Sequence, residues 1–431
     1  MVVKMPVKID FRPFQAKRYH PARVRLSDVI APPYDVISPA EREALYTRSP
    51  YNVVRLILGK EPDFYEQALR SWEEWSRLGI LAQDPLPAFY LYEQVFRCPG
   101  DPQPRRRLAL VGILKLDTAE GAVLAHEYTF SRPKRDRFLL LEKTKTNLSP
   151  IFGLFQTSAS VLSGIASNYR NRPPLFQAED DQKVVHRGWA IEKGEDQRAI
   201  HEALASEKIL IADGHHRFET ALEYRRQMKE KFPNASDEAP FNFVMMALVD
   251  FNDPGLVVLP THRIVQSFGK FPKKEFLDRL RRHFEFLPFL ESEVFSELGR
   301  RPSRDKVFGG MFGKQGVFLL RLKNLQDAEK LMPHGKPEIW YELEANLLTH
   351  LVFDKLWGAS GEERQVLVEY TRSWEEAAQA VREGKAEAAF LMRPPDVRTI
   401  RELADAGERM PQKTTYFYPK LASGLFFYHH G

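Results

Sequence analysis

One cysteine, Cys98, stands in 431 residues. That excludes an intramolecular disulfide, a CxxC redox pair and any zinc site built from several thiolates. No run approaches the roughly 20 apolar residues of a membrane span. Internal repeats and low-complexity tracts are also missing, which argues against solenoids and fibrous architectures. Charge of one sign is scarce: 63 Lys and Arg face 58 Asp and Glu, a net +5. So small an excess does not imply a nucleic-acid partner, while a small anionic ligand stays open. The opening "MVVKMPVKIDFRPFQAKRYH" has neither the apolar core nor the cleavage site of a signal peptide, so a cytoplasmic setting is expected.

What is present is a globular composition, 43% hydrophobic and 28% charged. The length exceeds one ordinary core, and the expected division is 1–175, 176–270 and 271–431, or one intertwined unit. Helical and strand patterns intermix, giving an expectation of α+β or mixed α/β structure. Phe64, Ala68, Trp72 and Trp75 recur at helical spacing, and "AFYLYEQVF" and "RLALVGILKLD" read as two strands of a hairpin. Arg105, Arg106 and Arg107 in its loop are expected to be solvating charges. Val53 to Leu58 and "QVLVEY" read as strands, "KKEFLDRLRRHFEFL" as helix, and "VFGGMFGKQGVFLLRLK" as a β-hairpin.

The densest chemistry lies in "KILIADGHHRFETALEYRRQMKE". Ile209, Leu210 and Ile211 end a buried strand, Gly214 permits a tight turn, and a helix follows. The first N–H groups of such a helix, with its dipole, favour an anion. Arg217 adds a forked cation, while His215 and His216 can donate hydrogen bonds or transfer protons. Two other readings stay open. Asp213 could simply cap the helix, with Arg217 paired to Glu219 or Glu223, or the histidines could hold a metal.

Elsewhere, "AHEYTFSRPKRDR" places His126 and Glu127 at a strand end, where the carboxylate could be a general base or meet a divalent cation. "APPYDVIS" presents Tyr34 and Asp35 after two prolines, and "LPTHRIV" presents Thr261, His262 and Arg263 after Pro260. In "MPQKTTYFYPK", Tyr416 and Phe417 are expected to seal the core, and Lys413 is a candidate ligand contact.

These motifs, "APPYDVIS", "HEYT" with a following "DR", "ADGHHR", "THR" and "MPQKTTYFYPK", together resemble a widespread prokaryotic family of unknown function, from about residue 9 to residue 427. Locally, "ADGHHRFETA" resembles the phosphate-binding box of the ParB, sulfiredoxin and free-serine kinase superfamily. That resemblance implies a ParB/sulfiredoxin-like nucleotide-binding core, with Gly214, His215, His216 and Arg217 on nucleotide phosphates. It further implies ATP or ADP with Mg²⁺, while the full-length family, whose members tend to sit near serine-biosynthesis genes, points to serine or phosphoserine as substrate. Asp213, Glu127 and His215 would be catalytic; His126, Tyr34, Asp35, Thr261, His262, Arg263 and Lys413 would bind substrate. Mg²⁺ would sit on Asp213 or Glu127 with the phosphates rather than in an all-protein site. No recognition helix follows the box as in ParB, and no cysteine lies within it as in sulfiredoxin. A phosphotransferase, in the kinase or phosphatase direction, is therefore the leading expectation. The alternatives are a nucleotide-binding regulatory or nucleic-acid-associated protein, and a metal-dependent hydrolase using His215, His216 and His126.

Overall fold

The computed structural model describes residues 9–119, 121–127, 131–156, 160–302, 304–359 and 361–431. Tyr128 and Thr129 of the "HEYT" motif lie outside them. The fold is mixed α/β. It divides into two compact units, one from Met1–Ala125, Thr129–Val257 and Phe417–Gly431, the other from His126–Tyr128 and Val258–Tyr416.

The first unit is built on a mixed sheet of nine strands: β1 (Phe11–Arg12), β2 (Phe89–Arg97), β3 (Pro104–Lys115), β4 (Val123–Ala125), β5 (Ile151–Phe155), β6 (Phe176–Glu179), β7 (Val185–Ile191), β8 (Ile209–Asp213) and β9 (Phe243–Asp250). Their order is β4-β8-β5-β9-β3-β2-β7-β6, with β1 paired to β3. β8 runs parallel to β4 and antiparallel to β5. Continuous apolar runs such as "IFGLF" in β5 are buried throughout, as expected of strands covered on both faces. Phe89, Ile151, Ile209, Ile211, Met246 and Leu248 form the centre of one core. A second core gathers Trp72 and Trp75 of α1 (Phe64–Arg77) with Leu140 of α2 (Ser131–Thr144) and Phe427.

The second unit holds a six-stranded antiparallel sheet: β10 (His262–Val265), β11 (Phe284–Phe289), β12 (Val307–Met311), β13 (Val317–Leu322), β14 (Val368–Thr371) and β15 (Ala388–Leu391), in the order β11-β13-β12-β15-β10-β14. Val294, Leu298, Ala377, Ala378 and Val381 pack on Ile264, Leu319 and Leu391 to make its core.

Most element types follow the patterning, including both hairpins, but four readings change. Val54–Ile57 is a helical turn, not a strand. Asn52, fully buried, accepts from the Val54 N–H at 2.9 Å and donates to the Asp28 carbonyl at 2.8 Å, so a side chain turns the backbone and overrides β-propensity. The helix at Lys273 stops at His283, and Phe284–Phe289 pairs along β13 instead. "QVLVEY" is helical up to Leu367 before β14 begins. Finally, Arg107 is 1% exposed rather than solvating. Strand alternation puts it on the face of buried Ala109 and Val111.

Candidate functional site

In the first unit, the "ADGHHR" segment forms a strand, a one-residue turn and a long helix. β8 ends at Asp213, Gly214 sits at φ +93°, and α3 (His215–Lys231) begins at once. Only glycine adopts that backbone readily. A Cβ there would lie 2.9–3.1 Å from the Arg217 guanidinium, so the missing side chain also makes room for the arginine. The register of β8 against β5 shifts between Ile211 and Asp213, a bulge of the kind that re-aims a terminal side chain.

Gly214, not Asp213, is the N-cap residue of α3, and the Asp213 oxygens are taken by other side chains. Its Oδ2 accepts from Arg217 Nη2 at 2.8 Å, and its Oδ1 accepts from Lys420. Arg217 Nη1 also donates to the Pro150 carbonyl at 2.5 Å. Glu219 and Glu223, the partners of Arg217 in the alternative capping reading, pair with Lys134 and Arg226. Burial favours the neutral acid, but Lys420, Arg217 and the nearby His215 outweigh it and hold the Asp213 carboxyl down at about 2.

A small cavity of about 60 Å³ adjoins this turn, lined in part by Tyr34, Arg137, Asn147, Ser149 and Arg217. Arg137, the arginine of the "DR" motif, stands 3.9 Å above the Tyr34 ring and donates to the Ile57 carbonyl at 2.8 Å. Burial raises the Tyr34 phenol to about 12, so it keeps its proton at neutral pH. Asp35, next along the same helical turn, is exposed. His215 is buried and His216 half-buried at the start of α3.

Lys420 is held by a clamp that sequence reasoning missed. Buried Arg107 donates to the carbonyls of Tyr418, at 3.1 Å, and Pro419, and to Gln94 Oε1. Gln94 Nε2 in turn donates to the Lys420 carbonyl at 3.0 Å. Three successive carbonyls are thus fixed by two side chains of the β2–β3 hairpin. The guanidinium lies 4.7 Å over the Phe152 ring, and Phe152 is the residue that pairs with Asp213 in the sheet.

The remaining sequence candidates belong to the second unit. Glu127 Oε1 accepts from both the N–H and the hydroxyl of Thr415, at 3.1 and 2.8 Å. That hydroxyl, donating to Glu127, accepts from His126 Nε2 at 3.0 Å. His262 is fully buried, and its Nδ1 accepts from the Met392 N–H at 3.1 Å. Burial and neighbouring Arg263 depress its pKa to about 4. Arg263 donates to the Thr261 carbonyl and faces the Tyr370 ring. Lys413 is exposed, and from its segment the lysine found beside Asp213 is Lys420. Among the described residues, no three His, Cys, Asp or Glu side chains cluster as metal ligands.

The family model described as "Protein of unknown function (DUF1015)" matches residues 11–346. The chain belongs to that family. No curated protein matches it. Similar solved structures include a free serine kinase in complex with AMP, 14% identical over 77% of this chain and 98% of that one, with a TM-score of 0.38. A conserved hypothetical protein from Pyrococcus furiosus is 15% identical over 73% and 93% of the two chains, with a TM-score of 0.36. SbnI with C-terminal truncation from Staphylococcus aureus is 8% identical over 73% and 86%, also with a TM-score of 0.36. At such scores these DUF1015 likenesses carry no argument about activity or ligand. No helix of the described residues is long and apolar enough to cross a membrane.

Proposed function

We propose that the Gly214 turn binds the phosphates of ATP or ADP in a phosphotransferase acting on a small hydroxyl metabolite, with serine or phosphoserine as the first substrates to test. The observation that carries this reading is the convergence of Tyr34, Arg137, Asp213, Arg217 and Lys420, from well-separated stretches of sequence, around one glycine-permitted helix start. Three of these side chains are cations, set against the carboxylates of Asp213 and of Asp136, the ion-pair partner of Arg137. The balance, with the α3 dipole, favours an added oxyanion.

Roles follow from the geometry. Arg217 and Lys420 would neutralise charge on the transferring group, and Gly214 would let phosphate approach the backbone. Asp213 is held ionised by Lys420 and Arg217, and each of its oxygens already accepts from one of them. It is suited to orienting Arg217 and Lys420. Glu127, one of whose oxygens Thr415 fixes, is proposed as a proton acceptor within the second unit and is not assigned to this turn. His215, His216 and Asp35 remain proposed ligand contacts at this turn, and His126, Thr261, His262, Arg263 and Lys413 are proposed as ligand contacts within the second unit. Mg²⁺ would have to displace a cation from Asp213, because both carboxylate oxygens are engaged. The metal is therefore assigned to the nucleotide phosphates.

Phosphorus NMR of the purified protein with ATP or ADP, Mg²⁺ and serine or phosphoserine tests the reading. Transfer is expected in one pairing and is expected to be lost in Asp213→Asn. No transfer and no nucleotide binding in any pairing would remove it.

A further inference from the structure

The second unit contains a cavity of about 920 Å³, at the upper end of the size of small-molecule sites. Its lining mixes cations, among them Arg263, Arg301, Lys306, Arg321 and Arg393, with carboxylates such as Glu342 and Glu344. Four of these cations have carboxylate partners. Arg393 pairs with Glu344, Lys306 with Glu342 at 3.1 Å, Arg301 with Glu297 at 2.8 Å, and Arg321 with Glu285.

Arg263 differs. It is 2% exposed, yet among the described residues no carboxylate ion-pairs with it. Of its five N–H donors, one is accepted by the Thr261 carbonyl, and the Tyr370 ring centre lies 5.6 Å from the guanidinium carbon. Glu127 acts on it only through the longer-range field, and burial lowers its pKa. A buried cation lacking a close counter-charge is destabilising unless something else supplies one. Arg301 adds a buried Nε without a hydrogen-bond partner among the described residues.

We infer that this cavity is a binding site for a small organic oxyanion, a phosphate ester or a polycarboxylate, whose anionic head takes the forked donors of Arg263. Guanidinium geometry suits both heads, because either presents paired oxygens to parallel N–H groups. Neutralised Arg393 and Lys306 would shape the wall, while Arg263 supplies the uncompensated charge. The inference does not depend on phosphotransfer at the Gly214 turn.

Calorimetric titration of the full chain with AMP and with citrate tests it and separates the two heads. At least one probe is expected to bind the native protein. Its affinity should fall at least about tenfold in Arg263→Gln, the scale of one lost charge-assisted contact. Because Arg263 is buried, a second variant, Thr399→Trp, fills the cavity and keeps the arginine; it should weaken the same probe by a similar factor. Gly214→Ala should leave citrate binding unaffected, together with whatever part of AMP binding Arg263→Gln weakens. If neither probe binds, or if binding survives both Arg263→Gln and Thr399→Trp, the inference fails. AMP binding lost only in Gly214→Ala, with citrate silent, would overturn it and leave the Gly214 reading standing.

Discussion

At the scale of single residues, the first unit's turn depends on one missing side chain and one buried charge triad. Gly214→Ala must force a Cβ into φ +93° and against Arg217. The backbone strain is about 1–2 kcal/mol, and the guanidinium must leave Asp213 or Pro150 to make room. We expect a fall of that size in urea stability, with loss of nucleotide binding well beyond it. Nucleotide affinity equal to that of the native protein would show that the close approach is not used. The histidines next to Gly214 stand out in the sequence as site candidates, whereas Arg137 and Lys420 are only members of a basic run and of an aromatic stretch that could wall a ligand site. Nothing in local spacing distinguishes Lys420 from Lys413, because the choice is made by Asp213 more than two hundred positions away.

At the scale of elements, the β2–β3 hairpin works as a holder. Its prolines and arginines suggested a solvated loop, and Arg105 and Arg106 fit that role in part, pairing with Asp101 and Glu93. Arg107 instead reaches the Tyr418 and Pro419 carbonyls, and Gln94 the Lys420 carbonyl. Arg107→Met keeps apolar bulk over Phe152 but removes every donor. Stability should drop by about 3 kcal/mol, from buried acceptors losing their bonds. Lys420 should also lose its fixed place beside Asp213. Denaturant unfolding checks the first effect. For the second, the Asp213 carboxyl, followed by NMR, should titrate higher in Arg107→Met; an unchanged value would mean that the clamp does not position Lys420.

At the scale of the whole molecule, each unit holds a histidine kept neutral, His262 fully buried and His430 half-buried. His262 is depressed to about 4 and His430 to about 3, chiefly by burial. Both pKa values lie below the unfolded value of about 6.5, so the unfolded chain binds more protons as the pH falls. Their contribution is present above about 6.5 and is lost progressively towards about 4 and about 3. Melting temperature should therefore decline from mildly acidic pH downward, before most carboxylates titrate. His262→Asn should flatten the part of that decline due to the second unit. A melting temperature constant between about pH 6.5 and about pH 4 would contradict the assignment.

Local patterning determined the kinds of element and one element of the site. Alternation set the strands and helical spacing set α1. "ADGHHR" alone dictated a strand, a glycine turn and a helix start, because these rest on backbone sterics within a few residues. Tertiary structure decided everything that depends on distant partners. It turned Val54–Ile57 into helix through Asn52, buried Arg107 under the C-terminal segment, and set Lys420 beside Asp213. It also left Arg263 buried without a close counter-charge. Charge compensation in a low-dielectric interior is a property of neighbours in space, and chain spacing does not encode which neighbours those are.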